Sequence, residues 1–152
     1  MKLVVDTNVV FSALVKNSRT REMLFYPALK LYAPEYLFEE LEEHRKEIEE
    51  KAGITDDEFD VFVFVLKRVL EVVPKRAYEG YFLEARKVVS DSGDVPFAAL
   101  AIALSATVSR DGDCGIWSND KHFVEKEGVF FQKFGVKVLT TETLYEIMRR
   151  SD

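Results

Sequence analysis

Residues 3–15 read LVVDTNVVFSALV. Leu3-Val4-Val5 is a short, wholly apolar run, which predicts a strand buried on both faces. Thr7 to Lys16 then reads as a helix, with Asp6 or Thr7 as its cap. The rest of the chain repeats this alternation. Thr20 to Tyr26 reads as a short helix and Leu31-Tyr32-Ala33 as a second strand. Pro34 is expected to open a long helix to about Glu50. Gly53 breaks the chain, and Thr55 to Glu58 forms a capping box before an apolar helix to Leu70. Val72-Val73 is the third strand, Tyr78 to Val89 a helix, and Asp94 starts another helix through about Ala106. Gly115 to Ser118 and Val136 to Leu139 complete the strands, and a helix from Thr141 to Met148 closes the chain. Apolar strands separated by helices predict an α/β fold, a three-layer α/β/α sandwich with a central, mostly parallel five-stranded sheet. No repeat, low-complexity stretch or Pro/Gly/Ser linker divides residues 1–152, so a single domain is expected.

Right-handed crossovers put the strand-to-helix junctions of such a sheet at one edge. Four acids share that geography: Asp6 in LVVDTNVV, Glu40 in APEYLFEELEEH, Asp94 in SGDVPFAALAIAL and Asp120 in GIWSNDKHF. Asp6 and Asp120 follow strands, Asp94 starts a helix, and Glu40 lies two turns into one. At roughly 100° per residue, Leu37, Leu41, His44 and Ile48 form one stripe, with Glu40 at its border. Phe97, Ala101, Leu104 and Val108 form another, and Asp94 projects towards that face. Phase and the following Leu41 favour Glu40 over Glu39 as the helix acid.

Composition narrows the classes. The 152 residues are 47% hydrophobic and 32% charged, which describes a globular chain with a substantial core. The formal net charge of −6 counts against holding nucleic acid by bulk electrostatics. It counts less against a nuclease whose divalent metal supplies local positive charge. A lone cysteine, Cys114, makes no internal disulfide and points to a reducing compartment. The apolar start is interrupted by Asp6 and Asn8, and no apolar run approaches the ~20 residues of a membrane span. A cytoplasmic protein without a membrane partner is expected.

Crowded carboxylates raise one another's pKa, and a divalent cation reverses that cost. Oxygen ligands select Mg²⁺ or Mn²⁺, which keep waters and have room for phosphate oxygens. One or two such ions activate a water towards a phosphodiester, so no protein nucleophile is required. With two histidines and one cysteine, a zinc site is not expected.

VVDTNVV after the first strand, PEYLFEEL in the next long helix, DVPFAALAIAL, and SNDKHF after a late strand together resemble a PIN domain. Each motif alone is weak, but the set covers essentially the whole chain in the family's order. The resemblance implies a metal-dependent ribonuclease related to the VapC-type toxins of toxin–antitoxin pairs. It implies RNA as substrate, an antitoxin protein as partner, and Mg²⁺ or Mn²⁺ held by Asp6, Glu40, Asp94 and Asp120. Thr7, Asn8 and Ser118 match the polar positions that support the site.

Plainer roles exist for most of these residues. Asp6, Asp94 and Asp120 are each good helix N-caps, and Glu40 alone would be a solvated helix charge. Capping does not explain why all four converge on one sheet edge. Asp91 is a turn residue or an outer-shell contact, and Asp113 a turn residue. His44 reads as a partly buried packing residue, Trp117 as core, and His122 as an exposed loop residue or a group near a substrate phosphate. Ser118 lacks the companions of a serine triad. Phe59, Phe62, Phe64, Leu66 and Val69 spread around their helix, which predicts either a partner or homodimer surface or burial against a neighbouring helix. Lys16, Arg19 and Arg21 are candidates to guide RNA or are ordinary surface charge.

Three functions therefore compete. The first is the metal-dependent endoribonuclease. The second is a phosphoaspartyl hydrolase or receiver-like domain with Asp6 as nucleophile, but Asn8 occupies the place where that chemistry needs a second aspartate. The third is a catalytically silent PIN-like binding module, against which the presence of all four acids argues.

Overall fold

The computed structural model describes residues 1–15 and 18–151. Five strands, β1 (Lys2–Val5), β2 (Lys30–Pro34), β3 (Glu71–Val73), β4 (Cys114–Trp117) and β5 (Val136–Leu139), pair in the order β3-β2-β1-β4-β5. Every pairing is parallel. The apolar runs explain this. Leu3, Val4 and Val5 are fully buried and β4 is buried at every residue, as strands covered on both faces must be.

Helices flank the sheet in a three-layer α/β/α arrangement. They are α1 (Thr7–Val15), α2 (Ser18–Leu24), α3 (Tyr36–Glu43), α4 (Arg45–Ala52), α5 (Asp56–Val69), α6 (Phe82–Arg86), α7 (Val95–Ser105), α8 (Lys121–Val124), α9 (Glu127–Phe134) and α10 (Thr141–Ser151). The helix α7 packs against β1, β2, β4 and β5. It is buried almost all round, from Val95 through Ile102 apart from Pro96, so no single stripe defines its inner face. Thr55 caps α5 with the predicted capping box.

The structure departs from the sequence reading in four places. Pro34 ends β2 instead of opening a helix, in register with Val73. The long helix after it is two, redirected at His44. Beyond that turn Arg45 bonds Glu49, Asp56 and Asp60, and its guanidinium lies 4.4 Å from the Phe59 ring centroid, which docks α4 on α5. Left-handed Gly53 (φ 67°) then ends α4, a conformation that suits a residue without Cβ. The segment from Tyr78 to Val89 is helical only from Phe82 to Arg86, and short 3₁₀ turns at Lys75–Ala77 and Glu79–Tyr81 precede it. Finally, α8 and α9 were not anticipated. Their signal is Phe123, Phe130 and Phe134 at helical spacing, interrupted by Gly128.

Candidate active site

Strand register builds the site. Val5 pairs with Trp117, so β1 and β4 end level, and the Asp6 amide donates to the Trp117 carbonyl at 3.0 Å. Asp6 and Ser118 therefore leave adjacent strands side by side. The chain turns to β2 on one side of β1, while β4 lies on the other. That is the topological switch point, where open parallel sheets place their ligand crevice.

Local hydrogen bonds then fix the acids. The Ser118 hydroxyl donates to Asp6 Oδ2 at 2.6 Å and accepts from the Asp120 amide at 3.0 Å. One buried oxygen thus holds the Asp6 carboxylate and the backbone of Asp120. The Thr7 amide donates to Asp6 Oδ1 at 2.8 Å, and the Thr7 hydroxyl donates to Glu40 Oε1 at 2.6 Å, tying α1 to α3. Asn119 binds the amide and hydroxyl of Thr141, and the Trp117 indole N–H shares that hydroxyl. The β4 end is therefore braced against the start of α10.

Asp6, Thr7, Asn8, Glu40, Asp94 and Asp120 all line one cleft of about 400 Å³, with Asp91 and His44 on its walls. The structure brings the four predicted acids together here. Glu39 is exposed and does not line the cleft. Asp6 is only 6% exposed. Burial pushes its carboxyl up to about 7, with the charges of Asp94 and Asp120 adding to the shift. Burial, then Asp91 and Asp120, push Asp94 up to about 6. Burial also raises Glu40, against the hydrogen bond from Thr7.

The capping roles divide. Asp120 does cap α8, accepting from the His122 amide at 2.9 Å. Asp94 occupies the N-cap position of α7 but makes no side-chain cap hydrogen bond. Asp91 both makes a turn, through the Gly93 amide at 2.8 Å, and lines the cleft. The structure corrects the reading of His44 and places His122, read as a loop residue or a group near a substrate phosphate, beside two of the acids. His44 is exposed and faces the cleft instead of packing inward, because the chain turns there. His122 Nδ1 lies 3.8 Å from Asp94 Oδ2 and 3.7 Å from Asp120 Oδ1. Among the described residues, the trio whose ligand atoms approach within 4.8 Å of one another is Asp91, Asp94 and His122, which shares only Asp94 with the four acids expected from sequence, Asp6, Glu40, Asp94 and Asp120. Proximity of His122 to Asp120 in KHF was the available signal.

Lys16 lies outside the described residues. Arg21 bonds the Ala13 and Leu14 carbonyls at the end of α1, and Arg19 lies over the Tyr145 ring. Neither lines the cleft.

The cleft fits a divalent cation. Asp6 and Asp94 are held in a state that resists ionisation, Asp94 has no cap bond, and buried Asn8 Oδ1 lacks a hydrogen-bond partner. The donors are oxygens with one imidazole at the edge, a set suited to Mg²⁺ or Mn²⁺.

A family model described as PIN domain matches residues 4–148. The chain belongs to the PIN domain family. No curated protein matches it. In fold, this PIN domain is similar to a chain of VapBC2 from Rickettsia felis, from a crystal structure of VapBC2 bound to a DNA fragment from their promoter. The TM-score is 0.60 at 13% identity, over 92% of this chain and 98% of that one. Among the described residues no helix is long and apolar enough to cross a membrane.

Proposed function

We propose that this PIN domain is a Mg²⁺- or Mn²⁺-dependent endoribonuclease and the toxin of a toxin–antitoxin pair. The observation that carries the proposal is the raised pKa of buried Asp6 in a cleft shared with Glu40, Asp94 and Asp120. A bound cation would stabilise those carboxylates as anions, activate a water and offset the charge on the leaving oxygen. Asp6, Asp94 and Asp120 would hold it. Ser118 and Thr7 fix the orientation of Asp6, so its oxygens need no reorganisation. Glu40 has one oxygen held by Thr7, leaving the other to accept a proton from the attacking water. The water oxygen bonds to phosphorus, the P–O bond to the leaving ribose oxygen breaks, and that oxygen takes up a proton.

A protein partner fits the same proposal. The matched fold comes from a VapBC2 assembly, and α5 leaves Val61 and Phe64 more than half exposed. Phe59 and Leu66 of that helix are fully buried, so its aromatic run serves both core and surface. An antitoxin or a second copy of the chain would cover the exposed part.

The test is cleavage of mixed-structure RNA with Mn²⁺ or Mg²⁺ by wild type, Asp6→Asn and Asp94→Asn proteins. Cleavage that survives chelation or either substitution would overturn the proposal. A labelled covalent aspartyl phosphate would favour the phosphoaspartyl alternative, and no cleavage with intact partner binding would favour a silent binding module.

A further inference from the structure

One wall of the acidic cleft has a second pocket behind it, of about 490 Å³. The wall is the segment leading into α7. Asp91, Gly93 and Asp94 face the cleft, whereas Ser90, Ser92 and Val95 line the second pocket. Tyr36, at the start of α3, stands at the divide. It lines the second pocket, yet it feels the charges of Glu40 and Asp91 in the cleft.

The second pocket has the opposite electrical character. Phe82 lies within it, flanked by Lys75 Nζ at 5.8 Å and Arg86 Cζ at 5.6 Å from the ring centroid. Neither cation makes an ion pair among the described residues, and no carboxylate lines the pocket. In a chain of net charge −6, two uncommitted cations over one ring form a local anion site beside a cleft that repels phosphate.

We infer that this pocket is the subsite for the nucleotide next to the scissile phosphate of a single-stranded RNA. Lys75 and Arg86 take its phosphate, and its base lies against Tyr36 and Phe82. Aromatic faces interleaved with cations suit unpaired strands, whose bases are free to stack, and do not suit a duplex. The wall residues Asp91 and Asp94 place the neighbouring phosphate in the acidic cleft. The inference rests on the nuclease reading of that cleft and adds the residues that grip the nucleotide beside it.

The experiment uses the full chain and a fluorescein-labelled, mixed-sequence single-stranded RNA dodecamer. Anisotropy in EDTA gives Kd and its salt dependence, and cleavage with Mn²⁺ gives KM. The variants are Lys75→Gln/Arg86→Gln, Phe82→Leu, and the control pair Lys126→Gln/Lys133→Gln near and on α9. The first should weaken Kd at least about ten-fold and reduce the log–log salt slope by roughly 0.7, the value for one single-strand phosphate that no longer meets a cation. Phe82→Leu should weaken Kd about three- to ten-fold because the base has no ring to stack on, with the control within about two-fold of wild type. If those losses appear but no protein cleaves RNA, the subsite stands and the nuclease reading falls. If wild type cleaves while both subsite variants keep its Kd, KM and slope, the subsite falls and the nuclease reading stands. Loss from the charge pair with Phe82→Leu unchanged, or no RNA binding by wild type, overturns the subsite too.

Discussion

Replacing Asp6 by asparagine should stabilise the metal-free protein at neutral and alkaline pH. Asp6 titrates near 7 in the fold against an ordinary value of 3.8. The folded state therefore holds this proton more tightly than the unfolded chain does. Its contribution to stability is fully present below about 3.8 and is lost as pH rises through about 7. Near pH 8 the loss amounts to about 4 kcal/mol, at 1.36 kcal/mol per pKa unit. Asparagine removes that charge but disturbs the bonds from Ser118 and Thr7, which costs about 1 kcal/mol. A net gain of about 3 kcal/mol corresponds to roughly 6–12 °C in a domain of this size. Thermal unfolding in EDTA at several pH values provides the assay. The Asp6→Asn protein should unfold above wild type near pH 8 and slightly below it near pH 4. Saturating Mn²⁺ should narrow or reverse the gap, because wild type alone gains binding free energy, about 2.7 kcal/mol at 100 times Kd. A variant that unfolds below wild type at every pH, or a gap that does not change with pH, would refute this reasoning and make Asp6 a structural cap.

Ser118→Ala removes the hydroxyl that holds Asp6 down, so Asp6 should titrate higher still. The acid limb of the cleavage pH profile should move to higher pH, and no movement would count against Asp6 as the ionising group. Thr141→Val leaves the buried Trp117 indole N–H without its acceptor. It should lower stability by about 1–3 kcal/mol in denaturant titrations and should also weaken metal binding, since Asn119 loses the same anchor.

The parts of the fold read most directly were those with one dominant local signal. Leu3-Val4-Val5 is apolar on both faces, Val136 to Leu139 is apolar apart from Lys137, and Thr55 to Glu58 is a capping box, so strand and helix boundaries fall within a residue or two. The strand order was beyond a sequence pattern, because it depends on which apolar edges meet after folding. The turn at His44 was also hidden. Its stripe of Leu37, Leu41, His44 and Ile48 is continuous in phase, and the contacts of Arg45 with Asp56 and Asp60 just beyond the turn are made with residues distant enough in sequence to leave no local mark. For the site, placement of the four acids in one cleft followed from the alternation of strands and helices. The approach of His122 to Asp94 did not, since it depends on where α8 starts relative to α7.

Titration of Mn²⁺ into the metal-free protein tests the central claim most directly, when heats near pH 6 are compared in buffers of different ionisation enthalpy. Asp6 near 7 and Asp94 near 6 both hold protons there, and a cation in the cleft must displace them. Wild type should bind Mn²⁺ with release of about one to one and a half protons per ion. Asp6→Asn and Asp94→Asn should each bind at least about ten-fold more weakly and release fewer. Absence of binding, or binding that is equally tight in both variants with no proton release, would contradict the assignment of this cleft as a metal site.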